Sequence, residues 1–407
     1  SEMCIRDSSE ILPSINTYDK NEEFPFDNIK KMSDRGYFGL SVPKNYGGLG
    51  LSKIEYGILL EELGAICASH ATILGAHLGL CVTPIILYGT QEQKNRFLPS
   101  LSSGESIGAF ALTEPSAGSD AANLQTTATP EGDDFILNGS KIFCTNGDHA
   151  DFVIVFAAND KSLGPMGGIT AFIVEKNTPG FTVGKKEKKM GLRASSTAEL
   201  IFENCKVPKE NILGDVGTGF MIALSTLDGG RVTLAVGSLG AAQRALDLCV
   251  DYLRQNQSEG GNLANRQSIQ WKLADVVMEV YASKYLVYNN LMELEKYYEI
   301  IESKEKVPRQ LRDRVSRGSA ISKAYVSEVA SRAITRVIEI QGILGIQDGT
   351  EIERGFRDSF IAEIYEGTND IQRMIIAKEI LGIGNTLCLS LIHISEPTRR
   401  TPISYAV

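Results

Sequence analysis

From about residue 27 to residue 103 the apolar positions recur at intervals of three and four, as in Ile54, Ile58, Leu59, Leu63 and Ile66, which is the spacing of one helical face. Val42-Pro43, the glycines Gly47, Gly48 and Gly50, and Thr83-Pro84 punctuate that pattern, so several helices are expected in succession. From Gly108 to about Asp215 the period shortens to β-rich runs such as Phe152–Phe156 and Thr170–Val174, separated by Asn138-Gly139, Asn146-Gly147 and Pro179-Gly180. Helical spacing returns from Phe220 to Leu381, for example Ile269, Leu273, Val276, Val277 and Val280, in stretches long enough for a bundle. The pattern predicts an α+β chain in three parts: a helical domain over 9–107, a β domain over 108–218 and a helical domain over 219–385. The ends, 1–8 and 386–407, continue neither pattern and are expected to be non-native tails. The stretch Ile66–Tyr88 is the most membrane-like, but Ser69, His70, His77 and Pro84 interrupt it, which predicts a core helix pair and no membrane span.

Composition narrows the class. At 407 residues with 43% hydrophobic and 22% charged positions, the chain has the make-up of a multi-domain globular protein and not of a disordered, collagen-like or disulfide-scaffold sequence. A formal charge of -9 argues against nucleic acid or an anionic membrane as the main partner, because both require a basic face. The seven cysteines are odd in number, scattered, and form no C-x-x-C pair, so they read as thiols of a protein that is not secreted. Four histidines offer no ligand spacing; His70 and His77 share a helical face but lie about 10 Å apart along it. No metal site is expected.

Three stretches can carry chemistry. Ala111-Leu112-Thr113-Glu114-Pro115-Ser116-Ala117-Gly118-Ser119-Asp120 follows an apolar run and can bring backbone N–H groups and hydroxyls against phosphate or a heteroaromatic ring, although a polar turn has the same composition. Lys141-Ile142-Phe143-Cys144-Thr145-Asn146-Gly147 places an aromatic ring and a hydroxyl two residues apart, on one face if the segment is a strand. In Ile364-Tyr365-Glu366-Gly367-Thr368-Asn369-Asp370 a glycine interrupts a helical region, so Glu366 is expected on a loop between helices. In an apolar cleft that carboxylate is a usable general base; on a surface it is only a flanking charge.

Together these stretches resemble the acyl-CoA dehydrogenase family in order and spacing, over about Phe24 to Gly384. The likeness extends through Val42-Pro43-Lys44-Asn45-Tyr46-Gly47-Gly48-Leu49-Gly50, Met190-Gly191-Leu192-Arg193-Ala194-Ser195-Ser196-Thr197, Asp228-Gly229-Gly230-Arg231 and Arg354-x-x-Arg357-Asp358. It implies an N-terminal helical domain, a central β-barrel-like domain and a C-terminal four-helix bundle, with FAD between the last two. The implied reaction is oxidation of an acyl-CoA thioester to the trans-2-enoyl-CoA. Phe110, Leu112, Thr113 and Ser119 match the segment along the flavin, Phe143 and Thr145 the aromatic-x-Thr pair packed on it, and Gln267, Gly342, Thr368, Asn369 and Asp370 further cofactor-contacting positions. Glu366 matches the catalytic base; Ser119, Asp228, Arg231 and Gly367 match positions near the acyl-CoA.

The resemblance also implies an electron-transfer flavoprotein as electron acceptor and a homo-oligomer, dimer or tetramer, in a bacterial cytoplasm or a mitochondrial matrix. Thr226–Val232 looks most like short-chain and branched short-chain members. Some relatives carry the base just before the arginine of Asp-x-x-Arg, and here that position is Gly230. Three departures stand out: Phe143 replaces the usual tryptophan, Asn256-Gln257-Ser258-Glu259 replaces Arg-x-x-Phe, and Glu339 and Ile343 replace a glutamine and a glycine. The last two alter the intersubunit side of the cofactor. A same-fold flavoprotein that reduces oxygen, and a catalytically impaired binding member, are the alternative classes.

Overall fold

A computed structural model describes residues 10–258 and 261–383. The two tails predicted at 1–8 and 386–407, together with Glu259, lie outside the described residues. The first helices are α1 (Leu12–Asn21), α2 (Phe26–Asp34), α3 (Lys53–Ile66), α4 (Ala68–Gly75), α5 (Thr83–Tyr88) and α6 (Gln91–Ser103). Ser52 and Glu55 form a capping box at the start of α3, and Thr90 and Gln93 form one at α6, so both starts are written in the sequence. Within α3 the buried face is Tyr56, Gly57, Leu60 and Leu63, whereas Ile58 is exposed.

The expected break at Thr83-Pro84 does not occur. Ala68–Tyr88 is one continuous helical run whose middle, Ala76–Val82, is a π turn. The wider turn leaves room for Pro84, and the Thr83 hydroxyl donates to the Leu78 carbonyl at 2.7 Å. This run is long and apolar enough to cross a membrane, but it is 78% buried within the protein and serves as a core helix.

Eight strands follow: β1 (Gly108–Ala111), β2 (Thr127–Glu131), β3 (Asp134–Thr145), β4 (Phe152–Ala158), β5 (Ile169–Glu175), β6 (Phe181–Lys186), β7 (Thr197–Pro208) and β8 (Ile212–Leu213). They form a mixed sheet in the order β6-β7-β3-β2-β4-β5-β8, with β1 parallel to β4. Its own apolar core is built from residues such as Val153, Val155, Phe172, Leu200 and Phe202.

The long helices α7 (Gly219–Gln255), α8 (Gln267–Glu302) and α9 (Arg309–Gln341), the short α10 (Glu351–Ser359) and then α11 (Asn369–Leu381) complete the chain. α7, α8, α9 and α11 make the bundle, and α3 packs on α7 in one shared core with Leu60, Leu63, Val232, Val236 and Leu239. All three parts meet at the Arg354-x-x-Arg357-Asp358 motif. Arg357 pairs with Asp19 of α1 at 2.7 Å and donates to the Met190 carbonyl at 3.3 Å, while Asp358 accepts from the Leu192 N–H at 2.6 Å.

Where α3 crosses α7 the two backbones nearly touch. A Cβ on Gly64 would lie 2.5 Å from the Gly237 carbonyl oxygen, and one on Gly240 would lie 2.0 Å from that of Glu61. The methyl group in Gly240→Ala favours the helix locally by about 1 kcal/mol, but it forces the helices apart at a cost of about 1–3 kcal/mol. We expect a net loss of stability, read as a lower urea midpoint; an unchanged or higher midpoint would show that the crossing yields freely.

Candidate active site

Glu366 and Gly367 occupy the bend between the turn Phe360–Glu363 and α11, and both have left-handed backbones, with φ of 55° and 88°. For a glutamate that conformation is costly, so the surroundings must impose it. They do so through the carbonyls. The Arg231 Nε donates to the Glu366 carbonyl at 3.3 Å, and the Gln372 amide donates to the Glu366 and Gly367 carbonyls at 3.3 and 2.8 Å. The Thr368 hydroxyl then caps α11 by accepting from the Ile371 N–H. Arg231 is in turn held by Asp228, one helical turn earlier, at 2.7 Å with both side chains nearly buried.

The Glu366 side chain faces a cavity of about 800 Å³ between the sheet and the bundle. Its Oε2 is shielded from solvent and has no hydrogen-bond partner. Burial pushes the carboxyl up to about 7, against the opposing charges of Arg231 and Lys323. A Cβ on Gly230 would sit 2.4 Å from that oxygen and 2.9 Å from Leu80, so a side chain at position 230 would project to the point in space that the Glu366 carboxyl occupies. Leu80 belongs to the π turn.

The opposite wall comes from the sheet. The β3–β7 register shifts between Lys141 and Cys144, and within that bulge Phe143 has φ 57° and is 60% exposed. Its ring is thereby turned out into the cavity beside Thr145. Lys141, two residues earlier, points inward and is fully buried. Its ammonium donates to the Leu112 carbonyl at 3.2 Å and to Glu114 at 2.7 Å. Glu114 also accepts from the Gln125 and Thr126 N–H groups. Burial alone would raise the Glu114 carboxyl, but Lys141 and these donors prevail and hold it below its usual range. The Phe110–Ser119 segment is thus stapled to β3 by a dry ion pair.

Of the residues singled out in the sequence, Phe110, Leu112, Thr113, Ser119, Phe143, Thr145, Arg231, Glu366, Gly367 and Thr368 all line this one cavity. The others lie elsewhere. Asp228 sits beneath Arg231 and not on the wall. Asn369 is buried in a network with Lys323, Ser327 and Glu328, and Asp370 is at the surface beside Arg373. Gln267 and Gly342 are exposed and do not line the cavity; they lie at the start of α8 and just past the end of α9, two helices joined there by the Lys272–Glu339 pair at 2.5 Å. Among the described residues no group of three or more His, Cys, Asp or Glu could hold a metal. Sequence reasoning missed Gln372 and Lys141; for Lys141 the strand alternation with Leu137 and Gly139 was the available signal.

A large flat group with a polar edge fits here. One wall is the exposed face of Phe143, hydroxyls of Thr113, Thr145 and Ser119 surround it, the shielded Ser195 hydroxyl lacks a partner, and no heavy atom lies within 4 Å of a Cβ built on Gly118. Sequence profiles of the N-terminal, middle and C-terminal domains of acyl-CoA dehydrogenase match residues 8–105, 109–205 and 217–381. The chain belongs to the acyl-CoA dehydrogenase family. It is 43% identical over 376 residues to an acyl-CoA dehydrogenase of Bacillus subtilis, covering 92% of this chain and 94% of that one. Two solved structures superpose with a TM-score of 0.86, each covering 93% of this chain and 96% of the other. One, 40% identical, is the butyryl-CoA dehydrogenase of Megasphaera elsdenii; the other, 41% identical, was described with the electron transferring flavoprotein of Acidaminococcus fermentans. The enzyme is thus an acyl-CoA dehydrogenase, and its cofactor is FAD.

Lys141→Met leaves Glu114 buried and unpaired, so we expect about 3–5 kcal/mol of lost stability in urea unfolding. Adding Glu114→Gln removes the orphaned charge while keeping an acceptor for one of the two N–H groups of Gln125 and Thr126, and should recover part of that loss. No recovery would mean that the pair does not act as a unit.

Proposed function

We propose that this enzyme oxidises a short acyl-CoA thioester to the trans-2-enoyl-CoA, with Glu366 as the base that removes the α-proton. The observation that carries this reading is the Glu366 carboxyl on the cavity wall, with its Oε2 shielded from solvent and unpaired. A carboxylate in water is too weak a base for a thioester α-proton; a desolvated one held near neutrality is matched to the task. Arg231 and Gln372 engage the carbonyls of the turn, fixing the bend while leaving the carboxyl Oε2 without a partner. The backbone N–H of Glu366 is the proposed donor to the thioester oxygen, where enolate charge develops. FAD, when bound, supplies the hydride acceptor.

Phe110, Leu112, Thr113, Ser119, Phe143, Thr145 and Thr368 are the proposed flavin contacts, and Ser119, Arg231 and Gly367 the proposed substrate contacts. Asp228 acts through Arg231. The butyryl-CoA dehydrogenase of Megasphaera elsdenii supports a short acyl group, and the Acidaminococcus structure supports an electron-transferring flavoprotein as electron acceptor. We place the enzyme in a bacterial cytoplasm or a mitochondrial matrix.

A homo-oligomer is part of the same reading. Trp271, Met278, Tyr281, Tyr285 and Met292 are exposed on α8 at intervals of seven, three, four and seven, and Ile343 and Ile346 are exposed near the end of α9. So continuous an apolar stripe on a helix suits a second copy of the chain.

Purified protein titrated anaerobically with acyl-CoAs of four to sixteen carbons should lose flavin absorbance most readily with the shortest. If no thioester bleaches the flavin, the assignment fails; rapid reoxidation in air would favour an oxidase. Glu366→Gln should keep FAD and lose bleaching. Because the carboxyl titrates at about 7, the bleaching rate should rise with pH through that value and fall about tenfold per unit below it. Tyr285→Glu should lower the mass measured by light scattering; an unchanged mass would move the interface elsewhere.

A further inference from the structure

Lys323 is a buried charge that the mechanism above does not use. It lies on α9 with no solvent exposure, and its ammonium donates to the Asn369 side-chain carbonyl at 2.8 Å. Among the described residues no carboxylate forms a salt bridge with it. Burial pulls its ammonium down to about 8, and the carboxylate that most opposes this is that of Glu366, ahead of Glu363 and Glu328; Arg231 works in the other direction. A buried cation lacking an ion pair is expensive, so a carboxylate that compensates it is favoured in its charged form. Asn369 adds a mechanical link. It is the first residue of α11, directly after the Thr368 cap, and it is fixed by Lys323, Ser327 and Glu328.

We propose that Lys323 is a positioning residue for the base: through its bond to Asn369 it holds a buried cation without an ion pair at the helix start from which the Glu366 bend hangs. The inference rests on Glu366 being the base. The other groups facing that carboxylate are Arg231 from α7, Tyr56 from α3 and Tyr365 from the same bend. Arg231 and Lys323 are therefore the two cations set against its burial, and Arg231 is already shared with Asp228.

The test is a pH titration of FAD-loaded protein by infrared spectroscopy, following the carboxylic-acid band that disappears in Glu366→Gln. This reads the base without turnover. In Lys323→Met and in Lys323→Gln, which keeps a donor for Asn369, the midpoint should rise from near 7 by about one pH unit. Anaerobic flavin reduction by butyryl-CoA at pH 7 should slow about fivefold in both variants and match the wild type above pH 9. A midpoint unmoved in both variants would overturn the proposal. So would a wild-type midpoint in Lys323→Gln alone, because the hydrogen bond and not the charge would then be what matters. Failure of both variants to fold would assign the charge to the fold, with the same result. Absence of bleaching in the wild type would instead overturn the reaction, and the infrared midpoint keeps the two failures apart.

Discussion

A carboxylate can serve as a base near neutral pH only if it is kept dry without being forced to stay protonated. Most of the cleft follows from that balance. Removing water from Glu366 raises its proton affinity, and the guanidinium of Arg231 and the ammonium of Lys323 oppose the rise. Neither cation is at liberty to collapse onto the carboxylate. Arg231 is occupied by Asp228 and by the Glu366 carbonyl, and Lys323 by Asn369. The Glu366 carboxyl is thus flanked by charge that acts at a distance while its shielded Oε2 stays unpaired.

Both walls of the cleft use the same device to present a side chain. Glu366 on the bundle side and Phe143 on the sheet side have left-handed backbones. In each case a rigid element adjoins the strained residue: the capped start of α11 for one, and the bulge beside the dry Lys141–Glu114 pair for the other. The conformational cost is met by buried hydrogen bonds that would have no partners in any other arrangement. The α3–α7 crossing and the Arg357 joint then hold the N-terminal helices and the Met190–Leu192 loop against the bundle, so that the walls keep their spacing.

Much of this was legible in the sequence because the motifs are local and ordered. Helical spacing located the bundle, short β-rich runs between Asn-Gly and Pro-Gly turns located the sheet, and ten of the residues chosen by resemblance line a single cavity. What stayed hidden depends on tertiary context. Pro84 reads as a stop because a proline lacks an N–H, and only the π turn before it lets the helix run on. Asp228 reads as a wall residue, yet it supports one. Along α9 the residues Ser319, Ser322, Lys323 and Ser327 are polar yet buried, in a helix whose inward positions include Ala320, Val326 and Ala330.

The π turn at Ala76–Val82 has a bearing on how this enzyme can vary. A π turn spends an extra residue over the length of an α turn, and here that residue makes the room in which the helix runs past Pro84. Leu80, which stands beside the carboxylate, is inside that turn. The same turn therefore serves two ends, carrying the helix through the proline and setting Leu80 beside Glu366, so loss of a single codon there would end the helix and withdraw that side chain together.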